Sequence, residues 1–494
     1  MKDRCWSLET ILSTRAADDT VRRWYWIWLA LFAHAALLVA TAGLFDHERY
    51  LHETPAVSLA IGLLSAGAVA LYLPACIAES EAAKDDTLKH LLTVIVAGGI
   101  ILRVMMFWTV PALETDLYRY LWDGALVATG HNPYAYAPGS LNAAGVPADV
   151  RDLASEAGYI HERINHRELR TIYPPVAQAF FAAAYLAETW SITAWRLVCL
   201  LCEMATLWLL IRLLDVLGRN RLWLAVYWWN PLIIKELMNS AHMDAVLVPL
   251  LLAALLLALT QRSILSCIVL ALAAGTKVWP VLLLPLVMRP LLGEPRRLAA
   301  AVCLTGLCLA ALAVPPLISG IDDTSGFAAY AGEWRRNGAL NPLLEMLFTT
   351  GLSPFGLADG AVPGLLARAV AAASAAMIAV LVAVPALGGG HDLVARATWI
   401  VLAVLVLSPA QYPWYIAWIM PLMVLRTPLR GVLVAAALLP IYYASFYFRG
   451  HNIEWMFNDI IVFAMWVPIW LFLYRDLRQP VGHAWSRLRQ SAWR

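Results

Sequence analysis

Carboxylates, an arginine and several aromatic side chains are concentrated between Leu113 and Tyr134, where a hydrophobic run gives way to polar sequence. Four of them recur at the i, i+3, i+4, i+7 spacing of a single helix face: Asp116, Arg119, Tyr120 and Asp123. Carboxylates held in such a row can accept protons or bind hydroxyl groups. Gly130 and the Asn-Pro pair after it mark the end of the helix. The spacing predicts an amphipathic interfacial helix whose carboxylates face a cavity.

The composition is that of a membrane protein. Of the 494 residues, 61% are hydrophobic and only 14% are charged, against roughly 25% charged residues in a soluble domain. The apolar runs repeatedly approach the ~20 residues that cross hydrocarbon as a helix, whereas a transmembrane barrel would show ~10-residue alternating segments. The net charge of +2 does not indicate a nucleic-acid partner, and we expect none. The sequence predicts an all-α polytopic membrane protein.

The hydrophobic runs predict about 14 transmembrane helices. They lie near residues 24–44, 56–78, 89–110, 192–214, 222–239, 242–260, 263–276, 278–289, 297–318, 362–386, 395–409, 412–426, 429–448 and 459–474. With the N-terminus in the cytoplasm, most of the 36 Lys and Arg residues lie on the cytoplasmic side, as the positive-inside rule requires. Counting Tyr173–Glu188 as a span would place the basic turn at 212–221 outside. We therefore predict that this segment is a helix on the outer face.

Three regions follow from this topology. We expect a cytoplasmic N-terminal tail at 1–23, a transmembrane domain at 24–474 and a basic cytoplasmic C-terminal tail at 475–494. The polar insertions then share the extracytoplasmic side: 111–191, 239–244, 276–277, 319–361, 411–414 and 448–459. Functional residues concentrate on loops that rigid elements hold, so the active site is expected on this side.

Two apolar stretches are interrupted in the same way, TKVWPVLLLPL at 276–286 and SPAQYPWYIAWIMPL at 408–422. Each contains polar residues, an aromatic residue and proline, which predicts broken helices near the outer face. Irregular backbone at membrane depth is tolerated only where it faces protein or a wet cavity. Lys277 and Gln411 are therefore predicted to face such a cavity.

Five blocks of sequence, spread between about Arg103 and Leu425, resemble the GT-C class of integral-membrane glycosyltransferases. They are ETDLYRYLWDGALVATGHNPYAYAP, TIYPPVAQAFF, WWNPLIIKELMNSAHMDAVLVPLLL, LAAGTKVWPVLLLPL and SPAQYPWYIAWIMPL. They are most similar to bacterial α-mannosyltransferases that use a polyprenyl-phosphate sugar. The resemblance implies a GT-C-like bundle in the bacterial inner membrane, with juxtamembrane helices on the extracytoplasmic face. It also implies transfer of a hexose, expected to be mannose, to a lipid-linked or cell-envelope glycan.

The same resemblance implies a role for Asp116. In the GT-C class an acidic residue in the first large outer loop is the general base, and Asp116 is the matching position. A base that takes the proton of the acceptor hydroxyl contributes on the order of 10²–10⁴ to the rate. Direct displacement with one base would invert the anomeric centre. The alternative is that Asp116 caps the helix beginning at Leu117, because Asp is a favoured N-cap, and one side chain could do both.

The other candidate residues would bind substrate: Arg119, Tyr120, Asp123, His242, Asp244, Lys277, Arg335, Arg336, Gln411, Trp414, Arg449 and His451. Each has a structural alternative. Asp123 could bind a sugar hydroxyl or pair with Arg119, and Lys277 could bind phosphate or extend to the interface. The outer-loop cations could bind phosphate or only be solvated. Trp414 could stack on a sugar or belong to the interfacial aromatic belt.

No cofactor is expected from the sequence. The H-x-D spacing of His242 and Asp244 is too weak a pattern to assign a metal, so a divalent cation is left open and no ligand is named. The chain has no P-loop and no dinucleotide fingerprint, which argues for a lipid-linked donor. The expected partners are a polyprenyl-phosphate sugar, a glycan or glycolipid acceptor and membrane lipids.

Two other functions fit parts of the sequence. A polymerase or ligase of lipid-linked glycans would use the same outer face. A transporter or flippase of lipid-linked sugars is typically built from matched repeats with discontinuous helices at the bilayer midplane. We find no matching halves here, and transport does not explain the long insertion at 111–191.

Overall fold

The computed structural model describes residues 8–45, 55–143, 145–358 and 360–491. Within these ranges the regular secondary structure is helical, and the strand-like pairing consists of an isolated bridge between Arg336 and Ala410. The predicted all-α fold is confirmed.

Eight helices in the described ranges are long and apolar enough to cross a membrane: Asp19–Leu44, Pro55–Ser80, Asp85–Met106, Ile192–Val216, Pro295–Ile318, Val362–Ala383, Gly390–Leu407 and Arg430–Gly450. The chain is therefore a multi-pass membrane protein. A ninth span would be the pair Pro231–Asn239 and Asp244–Leu259, which is bent by 117° at its break. The predicted spans 263–276, 278–289 and 412–426 coincide with shorter apolar helices. The predicted span 459–474 falls at the start of a 30-residue helix, Val462–Ser491, that is not among the eight. The total of about 14 therefore stays a prediction.

The N-terminal half begins with α1 (Leu8–Thr41), the 3₁₀ turn Ala42–Phe45, α2 (Pro55–Ala70), α3 (Leu73–Ser80) and α4 (Asp85–Met106). The first large insertion contains α5 (Asp116–Ala128), the 3₁₀ turn Pro138–Ser140, α6 (Ala148–Ala157), α7 (Tyr159–Glu162) and α8 (Pro175–Ala187). The central part comprises α9 (Ile192–Val216), α10 (Ala225–Trp228), α11 (Pro231–Ile234), α12 (Asp244–Leu259), α13 (Ser263–Ala274), α14 (Leu284–Met288) and α15 (Pro295–Ile318). Its 3₁₀ segments are Arg221–Leu224, Trp279–Leu283 and Arg289–Leu291.

The C-terminal part comprises α16 (Gly326–Glu333), α17 (Asn341–Leu352), α18 (Val362–Ala383), α19 (Gly390–Leu407), α20 (Met420–Leu425), α21 (Arg430–Leu438), α22 (Ala444–Gly450), α23 (Glu454–Met456) and α24 (Val462–Ser491). Its 3₁₀ segments are Ser353–Phe355, Pro413–Trp418 and Leu439–Tyr443. There are two π-helical turns. Lys235–Asn239 precedes the bend before α12, and Phe457–Ile461 leads directly into α24. The described part of the predicted C-terminal tail continues α24, and residues 1–7 and 492–494 of the predicted tails lie outside the described ranges.

Helix α5 is buried among protein rather than laid on lipid. Its residues from Leu117 to Leu126 are all buried, and α8 packs closely against it. Gly124 permits this approach, because a Cβ at that position would lie 2.4 Å from the carbonyl oxygen of Phe181. Helix α8 has 13 residues, which at 1.5 Å per residue gives a length of about 20 Å. This is less than the roughly 30 Å thickness of the hydrocarbon, so α8 is too short to cross the membrane by itself.

The two predicted broken stretches do contain irregular helix. Trp279–Leu283 and Pro413–Trp418 are 3₁₀ segments that precede α14 and α20. The rings of Trp279 and Trp418 lie 5.2 Å apart, so the two breaks pack together.

Candidate active site

A polar cavity of about 310 Å³ opens beside the start of α5. Its lining combines carboxylates, arginines and aromatic rings from three parts of the chain: 113–119, 165–173 and 334–449. A cavity of this size lies at the lower end of the range for small-molecule sites.

The segment leading into α5 is fixed by hydrogen bonds to the bent helix pair. The side chain of Asn239 accepts from the backbone N–H of Ala112 at 2.9 Å and donates to Thr109 Oγ1 at 2.7 Å. Arg196, on α9, donates to the carbonyl oxygens of Thr109 and Asn239, each at 2.5 Å. These contacts bring the sequence around residue 114 next to residues 236–242.

Asp116 is the first residue of α5, and its carboxylate is turned away from the helix backbone. Its Oδ1 accepts a hydrogen bond from Asn165 Nδ2 at 2.7 Å, and its Oδ2 accepts one from the hydroxyl of Tyr173 at 3.3 Å. The backbone N–H groups of Thr115 and Asp116 donate instead to Oε1 of Glu114, each at 2.8 Å. Glu114 therefore accepts the backbone N–H groups at the start of α5. The sequence had offered capping of this helix as the alternative role of Asp116.

Two carboxylates converge on the imidazole of His242. Its Nε2 lies 3.1 Å from Glu114 Oε2, and its Nδ1 lies 4.0 Å from Asp116 Oδ2. His242 is fully buried, while 22% of the Asp116 side chain is exposed. The three residues each offer one ligand atom within 4.8 Å of the others, a spacing that could also hold a divalent cation.

A second layer of charge lies behind His242. Glu236 Oε2 is 3.4 Å from His242 Nε2 and 3.6 Å from the ammonium of Lys235, and both side chains are buried. The hydroxyl of Tyr443 donates to Glu236 and accepts a hydrogen bond from Lys235. Buried carboxylates are stable only when paired or hydrogen-bonded, and this network supplies the partners.

The two carboxylates at the start of α5 have opposite shifts of pKa. Burial alone would raise the pKa of Glu114, but the positive charge of His242 and its hydrogen bond lower that pKa to about 2. Burial raises the pKa of Asp116, and the negative charge of Glu114 raises it further, against smaller opposing effects of His242 and Asn165. One carboxyl is thus kept ionised while the other is made more basic, as in sites that use one of two acids as a base.

Two arginines in the cavity lining share one carboxylate. Glu454 Oε1 lies 2.9 Å from the guanidinium of Arg336 and 3.4 Å from that of Arg449. The backbone of Arg336 is held in place as well, because its N–H donates to Pro409 O at 3.3 Å and its carbonyl accepts from the N–H of Gln411 at 2.7 Å. Two positive charges against one negative charge leave this part of the cavity able to bind an anion.

Aromatic rings and Arg119 complete the lining. Trp414 stacks on His242 at 3.9 Å and on Tyr412 at 4.4 Å. Arg119 donates to the carbonyl oxygens of Asn165 at 3.0 Å and Leu169 at 3.0 Å, and so fixes the loop that carries Asn165. Tyr120 lies behind the lining, with its hydroxyl 3.5 Å from His242 Nδ1.

Asp123 is not brought to the cavity. It is 1% exposed and accepts hydrogen bonds from Thr171 at 2.5 Å and Gln178 at 3.1 Å. Burial raises its pKa to about 6, although Arg119 and these hydrogen bonds act in the opposite direction. These contacts tie α5 to the segment before α8, so the geometry supports a structural role.

Lys277 and Asp244 form an ion pair with each other beside the cavity. The ammonium lies 2.9 Å from Asp244 Oδ1, and Trp418 Nε1 donates to the same oxygen at 2.5 Å. The ammonium also lies 4.4 Å from the centre of the Tyr415 ring. Lys277 and Asp244 do not line the described cavity, nor do three further predicted residues, Arg335, Gln411 and His451. Gln411 is buried and its Nε2 donates to Ser408 O at 3.3 Å.

Sequence reasoning did not single out four residues that shape the site. Glu114 had a signal, the Glu-x-Asp spacing to Asp116. Asn165 and Tyr173 lie in the insertion, and Asn165 falls in a part of it without a recognisable motif. Glu236 lies in an apolar run that the sequence predicts to be a span, and the signal that could have identified it is that a carboxylate at membrane depth is usually functional.

Comparison with known proteins gives a consistent relationship. A family model described as alpha-(1->6)-mannopyranosyltransferase, N-terminal domain, matches residues 25–292. The chain is 26% identical over 192 residues to alpha-(1->6)-mannopyranosyltransferase A of Corynebacterium glutamicum, covering 37% of this chain and 36% of the relative. It is 27% identical over 199 residues to the protein of the same name from Mycobacterium tuberculosis, covering 38% and 35%.

These curated relatives are therefore matched over about a third of their length. No solved structure matches the chain. The family match is broader, since it covers more than half of the chain and includes both the start of α5 and the segment from Lys235 to Asp244. On this match, the chain belongs to the alpha-(1->6)-mannopyranosyltransferase family.

Proposed function

We propose that the protein transfers mannose from a polyprenyl-phosphate donor to a hydroxyl group of a lipid-linked or cell-envelope glycan, on the extracytoplasmic side of the bacterial inner membrane. The observation that carries this proposal is that Asp116, with a raised pKa, shares a cavity with the guanidinium groups of Arg336 and Arg449. Glycosyl transfer from a phosphate needs both a base for the acceptor proton and cations for the leaving group.

The reaction is an inverting displacement. The acceptor oxygen attacks the anomeric carbon as the bond from that carbon to the phosphate oxygen breaks. Asp116 takes the proton of the acceptor hydroxyl, and polyprenyl phosphate leaves with its charge against Arg336 and Arg449. Trp414 and Tyr412 provide aromatic surface at the sugar. The family description supports an α(1→6) linkage in the product.

The insertions at 111–191 and 319–361 supply residues to one cavity, which supports their location on one side of the membrane. The extracytoplasmic side is favoured by the positive-inside rule applied to the cytoplasmic loops. A polyprenyl-phosphate sugar is the form of donor available there. With the same topology, we propose that the transmembrane domain extends from residue 24 to residue 474, between two cytoplasmic tails.

Purified protein incubated with radiolabelled polyprenyl-phosphate mannose and a mannose-containing lipid acceptor tests the proposal. Labelled acceptor and free polyprenyl phosphate should appear together in equal amounts. A flippase would change only the side on which the label is found in sealed vesicles, and a polymerase or ligase would move a preformed glycan instead of a single mannose. Either result would contradict the proposal.

A further inference from the structure

A groove of about 950 Å³ lies beside the cavity, between residues 335–346 and the start of the last helix. Along the helix its lining runs from Asn458 to Tyr474. At 1.5 Å per residue this is about 24 Å, close to the roughly 30 Å thickness of the hydrocarbon. A hexose does not need a groove of this length, but an extended lipid chain does.

The groove has a polar end and an apolar remainder. One wall carries the polar residues Arg335, Arg336, Asn337, Asn341 and Glu345, close together in sequence, and Asn458 begins the other wall. The charge of Glu345 is balanced by Arg335, which leaves Arg336 for an anion. Beyond them the helix presents Phe463, Val467 and Leu471, which repeat every four residues and are 59%, 44% and 59% exposed. This repeat forms one stripe along the helix. The amphipathic order matches a molecule with an anionic head and a long hydrocarbon tail.

Arg336 connects the two spaces, since it lines both the groove and the cavity that holds Asp116. Arg335, the preceding residue, lines the groove but not the cavity. The side chain of Arg335 forms an ion pair with Glu345 at 2.5 Å. A phosphate at Arg336 would therefore have its sugar in the cavity and its lipid chain in the groove.

A buried amide gives independent support for an anion at the polar end. Asn341 is 2% exposed, and within the part of the chain that the structure describes its Nδ2 has no hydrogen-bond partner. A buried donor without a partner destabilises the folded state, and a phosphate oxygen would accept its hydrogen bond. The two walls of the groove are also joined directly, because Trp466 Nε1 on the last helix donates to the carbonyl oxygen of Asn337 at 2.8 Å.

We propose that this groove holds the polyprenyl chain of the donor, with the donor phosphate at Arg336 where the groove meets the cavity. The inference rests on the proposed function, since it assigns a place to the lipid of that donor. A second apolar groove of about 350 Å³, between α1, α2 and α4, shares no lining residue with the cavity. Its Lys235 is already engaged by Glu236 and Tyr443, so this groove serves as the control.

The test compares two donors, one with a long polyprenyl chain and one shortened to two isoprene units. Val467→Trp and Leu471→Trp place a large ring in the groove at exposed positions, where the fold should tolerate it. Each variant should raise the KM for the long donor about tenfold, because a tenfold change corresponds to losing the burial of one or two methylene groups of the lipid. The KM for the short donor should stay within about twofold of the wild-type value. Arg336→Ala should raise the KM for both donors.

The matched control is Gly62→Trp in the second groove, where a Cβ would meet nothing within 4 Å. It should change neither KM. Size-exclusion profile and melting temperature show whether each variant is folded. Equal effects of the Val467 and Leu471 variants on both donors, or no effect, would overturn the inference. A rise in the KM of the acceptor alone would place the acceptor lipid in the groove and would also overturn it.

Failure of the proposed function would look different, because the wild-type protein would then transfer mannose from neither donor. In that case binding of a long-chain polyprenyl monophosphate is measured directly by native mass spectrometry. Binding that is weakened by Val467→Trp but not by Gly62→Trp would support the groove as the binding site of the polyprenyl chain, even if the protein does not transfer mannose. Absence of binding to the wild type, or equal binding by both variants, refutes it.

Discussion

Oε2 of Glu114 lies 3.1 Å from Nε2 of His242, while Oε1 of the same carboxylate accepts two backbone N–H groups at the start of α5. Glu114 thus fixes the helix start and remains ionised, with its pKa lowered to about 2 despite burial, chiefly by the charge of His242. Of the two carboxyls, Asp116 therefore has the higher pKa, because burial and the charge of Glu114 raise it. The pH dependence of transfer follows from that difference.

We expect kcat/KM to fall on the acid side at a pH above the usual range of an aspartate. Burial raises the pKa of Asp116, and the charge of Glu114 raises it further. A base must be deprotonated to act, so activity is lost as the pH falls through this raised pKa. Glu114→Gln removes a neighbouring negative charge and should move the acid limb to lower pH. A limb that stays in place or moves upward in this variant would contradict the assignment.

Asp116→Asn should abolish transfer without unfolding the protein. The amide keeps the shape of the side chain and can still bond to Asn165 or Tyr173, but it cannot take a proton. The expected loss in kcat is on the order of 10²–10⁴, measured with the radiolabelled donor at saturating concentrations. Asp323→Asn, at an exposed aspartate outside the cavity lining, is the matched control and should be unchanged. Retained activity in Asp116→Asn would leave this residue with a structural role only.

Local periodicity predicted the helix that carries Asp116, but not which of its residues reach the cavity. Asp116 and Asp123 lie on one face of α5, yet seven residues of rise separate them by about 10 Å. That rise carries Asp123 past the cavity to Thr171 and Gln178, next to α8. The spacing of a single helix therefore defines a face, while the position along the axis depends on what packs against it.

The partners of Asp116 could not be predicted because they come from distant segments. Asn165 lies in a loop whose position is set by Arg119, and Glu236 reaches His242 only because the helix bends by 117° between Asn239 and Asp244. Proline and polar residues in the sequence did predict broken helices near 276–286 and 408–422. Neither the angle of a break nor the neighbour it meets is encoded in such local signals.

Asp123 should make the stability of the folded protein depend on pH. Its pKa rises from 3.8 to about 6 on folding, because burial outweighs Arg119 and the hydrogen bonds. Since the folded state holds the proton more tightly, this contribution is fully present below about pH 4 and is lost as the pH rises through about 6. The change amounts to roughly 3 kcal/mol. Melting temperatures in detergent should fall between pH 4 and pH 7 by more in the wild type than in Asp123→Asn. Equal falls would show that Asp123 does not titrate in this window.

Chelation should leave transfer unchanged. Glu114, Asp116 and His242 are close enough to hold a divalent cation, but His242 and Lys235 already supply positive charge beside Glu114. We therefore expect the same kcat and donor KM after dialysis against EDTA as before it. A loss of activity that Mn²⁺ or Mg²⁺ restores, together with one bound ion per chain by mass spectrometry, would show that the cluster is a metal site instead.

Arg336 should bind the donor more strongly than the acceptor. Its guanidinium shares Glu454 with Arg449, so a phosphate would complete the charge balance of the pair. A hydrogen bond to a charged group contributes about 1.5–3 kcal/mol, which corresponds to a 10- to 100-fold rise in the donor KM for Arg336→Ala. Arg336→Lys keeps the charge but loses the planar fork, and should recover only part of the affinity. Arg151→Ala, at an exposed arginine on α6, controls for loss of surface charge. An acceptor KM that rises as much as the donor KM would mean that Arg336 shapes the cavity as a whole rather than binding the phosphate.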